Sequence, residues 1–131
     1  MVKVYNVNLN HKKHTDNTDL TVSFDILFSK YDVKYKFDYN VKVEIKGRDF
    51  ESITDDELLH THDDILELND SFLANLKNGV MSKQYSYNLP NKKLDEDKGS
   101  EEDEIYAKVT VTPLIPCADS AISNIIREHF E

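Results

Sequence analysis

A chain of 131 residues, 39% apolar and 31% charged, holds enough material for one core and too little for two, and reads as an ordinary globular chain over 1–131. Its formal charge of −9 excludes unaided binding to nucleic acid or an anionic membrane, because phosphates are repelled, and leaves proteins as the partners to expect. The one cysteine, Cys117, excludes an internal disulfide, and the alternating N-terminus lacks the continuous apolar stretch of a secretory leader, so a cytoplasmic protein is expected.

Tyr5, Val7 and Leu9 share one face of a predicted first strand, followed by a polar loop from His11 to Asn17. Leu20, Val22, Phe24, Ile26 and Phe28 alternate with polar residues in a second strand, and Ser29–Asp32 suits a hairpin connection to a third. That third strand has the strongest pattern in the chain. Val33, Tyr35, Phe37, Tyr39, Val41, Val43 and Ile45 occupy every second position, which predicts a long antiparallel strand with one oily and one wet face.

After Gly47 the period changes. Thr54-Asp55-Asp56-Glu57 matches a capping box, and Leu58, Leu59, Ile65, Leu66, Phe72, Leu73 and Leu76 predict one or two helices ending near Gly79. Met81 to Leu89 reads as a weak edge strand. The acidic stretch from Pro90 to Glu104 has almost nothing to bury and is expected to be a mobile loop. Ile105, Ala107, Val109 and Val111 make a fourth convincing strand ended by Pro113. From Pro116, the residues Ala118, Ala121, Ile122, Ile125 and Ile126 predict a terminal helix with one apolar stripe. The expected architecture is α+β, a four-stranded antiparallel meander with helices packed on one face.

Chemical motifs are sparse. His60-Thr61-His62-Asp63-Asp64 resembles the opening of a metal-binding HxHxDH phrase, but Ile65 stands where the last histidine belongs. On the expected helix, His60 and His62 would also point in different directions, so a polar helix face is the better reading. Cys117 reads as core filler, and His11 and His14 as surface residues. With glycine only at 47, 79 and 99 there is no phosphate-binding loop, and no serine sits in a nucleophile elbow. No enzyme activity, cofactor or metal is expected.

The segment Leu114-Ile115-Pro116-Cys117-Ala118-Asp119-Ser120-Ala121-Ile122-Ser123-Asn124-Ile125-Ile126-Arg127 resembles the phrase that opens a helix in SecB-type export chaperones. The strand ending Val43-Glu44-Ile45-Lys46-Gly47-Arg48-Asp49-Phe50 is similar to a strand of that family. The resemblance implies a strand meander with helices upon it, a homo-oligomer of two copies or more, and a chemistry-free function of holding a protein client or dedicated partner. Tyr5, Val7, Phe24, Tyr35, Phe37 and Tyr39 are the candidate protein contacts. The alternative is an acidic phage-type inhibitor that mimics nucleic acid and occupies a basic host defence protein. Asp55, Asp56, Glu57, Asp63, Asp64 and Glu67 would supply its charge.

Overall fold

The computed structural model describes residues 2–48, 56–95, 102–114 and 119–130. Seven strands and three short helices follow one another as β1 (Lys3–Lys13), β2 (Asn17–Leu27), α1 (Lys30–Tyr35), β3 (Tyr39–Gly47), β4 (Glu57–Leu66), α2 (Asp70–Ala74), β5 (Val80–Pro90), α3 (Asn91–Leu94), β6 (Asp103–Pro113) and β7 (Asp119–Glu128). The strands form two antiparallel sheets, ordered β1-β2-β5 and β4-β3-β6-β7. One apolar cluster joins the inward rows of both. Leu20, Val22, Phe24 and Ile26 come from β2, Tyr39, Val41, Val43 and Ile45 from β3, and Ile105, Ala107, Val109 and Val111 from β6. This is a β-sandwich, in which the period-2 pattern of each strand buries one face against the facing sheet.

The expected α+β architecture is therefore wrong, and three segments account for the difference. Residues 33–37 are not strand. Ser29 and Asp32 form a reciprocal capping box, with the Ser29 amide donating to Asp32 Oδ2 at 2.8 Å and the Asp32 amide donating to Ser29 Oγ at 3.2 Å. That local cap wins over the alternation, so α1 forms until Lys36 turns left-handed at φ 50°. As a result β2 and β3 lie in different sheets and do not form the expected hairpin.

The second segment is 57–66. Thr54 and Asp55 of the proposed capping box lie outside the described residues, and Glu57–Leu66 pairs along the whole of β3 as a strand. Of the stretch from Leu58 to Leu76 expected to be helical, only the five residues of α2 are helix. The third is the terminal segment, where Asp119–Glu128 pairs with β6 instead of forming a helix. Three β-branched isoleucines at 122, 125 and 126 fit a pleated surface better than a helix. The helix-on-sheet architecture implied by the SecB-type resemblance is thus not the one this chain adopts. Cys117 lies outside the described residues.

Within the stretch 90–104, Asn91–Leu94 is helical, Asp103 and Glu104 open β6 as buried residues, and 96–101 lie outside the described residues. Asn91 is a fastening point. Its Nδ2 donates to the carbonyls of His14 and Thr15 at 3.1 and 3.2 Å, while its Oδ1 accepts from Thr18 Oγ1 at 2.6 Å. No helix among the described residues is long and apolar enough to cross a membrane.

Candidate functional site

The connection from β2 to β3 carries the largest exposed aromatic surface of the described chain. Tyr31 and Tyr35 stand one turn apart on α1, which brings their ring centroids to 4.5 Å. Phe37, just past the left-handed Lys36, stacks on Tyr35 at 5.8 Å with an interplanar angle of 18°, and lies 6.5 Å from Tyr31. Tyr31 is 60% exposed and Tyr35 49%. Lys34 Nζ sits 5.5 Å from the Tyr35 centroid, and Lys36 pairs with Asp70 at 2.7 Å. Beside the rings lies an open, apolar depression of about 420 Å³ bordered by Phe28, Val33, Lys34 and Gly79.

The patch is rigidly mounted. Asp32, buried at the base of α1, accepts from Tyr39 Oη at 2.5 Å and from Ser29, so one carboxylate ties the helix to β3. Burial pushes the Asp32 carboxyl up, but the hydrogen bonds from Tyr39 and from the Ser29 side chain and backbone outweigh it and hold the group below its ordinary value. Burial, then the Asp32 carboxylate, pushes the Tyr39 phenol up, so it stays a donor.

A second cluster closes the edge where β4 faces β5. The core-facing residues Val41, Val43 and Ile45 of β3 pair with Asp64, His62 and His60, which places those three on the inward side of β4. Residues two apart share a face on a strand, so the two histidines do point together, unlike on the helix expected from sequence. What they enclose is Tyr87. Its ring lies 4.9 Å from His60 and 5.5 Å from His62, and its hydroxyl lies 2.8 Å from His62 Nδ1. Tyr85 Oη donates to Asp64 Oδ2 at 2.6 Å. Burial and the Asp64 carboxylate push both phenols up, and burial pushes His60 down, aided by Lys93 and His62. Among the described residues no group of three His, Cys, Asp or Glu side chains could hold a metal. The cluster is a polar seam between sheets.

Of the six predicted contact residues, only Tyr35 and Phe37 come together. Phe24 and Tyr39 belong to the core at 2% and 0% exposure, where they cannot meet a partner, and Tyr5 and Val7 are half-buried on β1. Tyr31 was not among the candidates. Its signal is present in the Ser29-x-x-Asp32 capping box together with tyrosines at 31 and 35, four residues apart, hidden under the longer alternation. Of the acidic candidates, Asp56 and Asp64 are engaged by the hydroxyls of Tyr106 and Tyr85, Glu57, Asp63 and Glu67 are exposed, and Asp55 lies outside the described residues.

No family model and no curated protein matches the chain. Among solved structures, β-glucosidase 3B from Thermotoga neapolitana is similar over 97% of this chain at 14% identity and a TM-score of 0.39. A β-glucosidase from Kluyveromyces marxianus is similar over 97% at 13% identity and a TM-score of 0.38. The chain spans 16% and 14% of those two enzymes, and at such scores the likeness carries no argument about fold or function.

Proposed function

We propose that the chain is a non-enzymatic protein-binding module that meets its partner through Tyr31, Tyr35 and Phe37. The observation that carries this reading is the pair of exposed tyrosines, Tyr31 and Tyr35, on a helix fixed by the buried Asp32 and backed by the half-buried Phe37. A hydrophobic core does not need the two tyrosine rings outside it, and tyrosines held by local geometry offer large contact area with little rotamer entropy to lose. Lys30 and Lys34 border the rings with positive charge, so the partner surface is apolar at its centre and acidic at its rim.

A photo-reactive amino acid in place of Tyr35, introduced in the producing cell, tests the reading. A discrete cross-linked protein band that disappears when Tyr31→Ser is added supports it. An absence of any band, or one insensitive to Tyr31→Ser, refutes it. The promiscuous form of the function is a holder of unfolded chains, tested by suppression of aggregation of an unfolded protein. Self-association is tested by sedimentation of the wild type against the Tyr31→Ser, Tyr35→Ser double variant.

A further inference from the structure

The outward faces of the two sheets differ sharply in chemistry. On the β4-β3-β6 side, the outward positions include Asp63, Lys42, Glu44, Lys46 and Lys108, an ordinary solvated face. On the β1-β2-β5 sheet, three successive cross-strand rows carry Asn10, Thr21 and Ser86, then Asn8, Ser23 and Gln84, then Asp25 and Ser82. Only one of these eight side chains is ionisable, in a chain that is 31% charged. Short amides and hydroxyls also leave the sheet surface bare, where lysine and glutamate stems would cover it.

The same face holds an open depression. The β1–β2 register shifts between Tyr5 and Asn8, so two β1 residues stand opposite one on β2, and Asn6 takes a left-handed φ of 52°. Asn6 Nδ2 donates to Asp25 Oδ2 at 3.0 Å and Ser82 Oγ to Asp25 Oδ1 at 2.6 Å, which fixes the carboxylate at the floor. The result is an open groove of about 480 Å³ lined by Asn6, Asn8, Ser23, Asp25, Ser82 and Gln84; Phe24 and Lys83 also border it, but as a cross-strand pair on the core-facing side, with Lys83 Nζ 5.4 Å from the Tyr85 ring. Asparagine adopts this left-handed conformation more readily than other non-glycine residues, so the bulge forms at little cost. Tyr5, opposite Asp25 in the register and half-buried, adds an aromatic flank on the same face.

We infer that this groove is a binding site for a neutral polyhydroxylated ligand, an oligosaccharide. Rows of amides and hydroxyls at cross-strand spacing offer paired donors and acceptors to the vicinal hydroxyls of consecutive sugar units, and the fixed Asp25 carboxylate accepts two of them. The same carboxylate, in a chain of charge −9, disfavours phosphorylated or acidic glycans. This site is separate from the aromatic patch on α1, so the two readings stand or fall independently.

Amide-resolved NMR titration of the full chain with cellohexaose, xylohexaose, maltohexaose and chitohexaose tests the inference. The expected result is a shift pattern confined to Asn8, Ser23, Asp25, Ser82 and Gln84 with at least one saccharide. Affinity is expected to fall about tenfold in Gln84→Ala and in Ser23→Ala and to stay unchanged in Tyr31→Ser. Both alanine variants alter outward side chains, and retained amide dispersion confirms that they fold. No shift with any of the four at millimolar concentration overturns the inference. So do shifts that survive both alanine substitutions, or that centre on Tyr31 and Tyr35.

Discussion

Asp32 shows how one side chain can decide local structure, stability and the site together. It caps α1, accepts from Tyr39 in the core, and thereby sets where the exposed rings stand. Tyr39→Phe leaves that buried carboxylate short of one donor, and the expected loss is about 1.5–3 kcal/mol in a denaturant melt. Because the folded Asp32 pKa lies below the unfolded one, its contribution is complete above the ordinary value of 3.8 and is lost as pH falls through the folded value. A stability profile of Asp32→Asn should be flatter than wild type below that pH. His60 has the opposite chemistry but the same trend. Its folded pKa lies below the ordinary 6.5, so the unfolded chain binds the proton more readily and stability declines as pH drops below 6.5. His60→Gln should reduce that decline, measured as the melting temperature between neutral and mildly acid pH.

Among the elements, the bulges explain what uniform periodicity could not. On β7, Ser123 and Asn124 together oppose the single Ala107 of β6, and the extra residue aims Asn124 at the neighbouring sheet. There its amide accepts from the Leu9 N–H at 2.8 Å and donates to the Leu9 carbonyl at 3.1 Å, so β1 is tied to β7 across the open side of the sandwich. At Leu9 the outer edge of β1 is thus covered by Asn124. Asn124→Ala should cost about 1–3 kcal/mol and raise the hydrogen-exchange rate of the Leu9 amide more than that of Val22. Asn78-Gly79 is the second such device. Both residues have positive φ, at 55° and 78°, in the turn that enters β5, and a Cβ on Gly79 would stand 3.1 Å from the Phe28 carbonyl oxygen. Gly79→Ala is expected to destabilise by about 1 kcal/mol or more in the same assay.

For the whole molecule, β2 and β6 were legible because their patterns and their neighbours agree, a strict period of two bounded by turn residues, whereas β5 gave only a weak strand signal through Tyr85 and Tyr87. β4 and β7 were not. In Leu58-Leu59 and Ile125-Ile126 adjacent apolar residues create a helical spacing, whereas in the fold one of each pair faces the core and the other faces out. Leu59, an extra residue in the β3–β4 register, turns inward through a bulge that no single-sequence periodicity reveals. The aromatic patch was half legible: Tyr35 and Phe37 stood out as large rings, but the strand assigned to them concealed the helix that brings Tyr31 alongside. The seam of His60, His62 and Tyr87 requires knowing that β4 and β5 face each other, a relation set by tertiary packing alone.

The proposed binding depends on α1 presenting Tyr31 and Tyr35 outward as a working surface while Asp32 and Tyr39 hold the helix from beneath. The most direct measurement is a paired one on the Tyr31→Ser, Tyr35→Ser double variant, with denaturant unfolding and cross-linking from position 37 compared against wild type. The expected result is stability within about 0.5 kcal/mol of wild type together with loss of the cross-linked partner. A destabilisation of about 3 kcal/mol or more, as for truncated core aromatics, or a partner still captured in full, would contradict it.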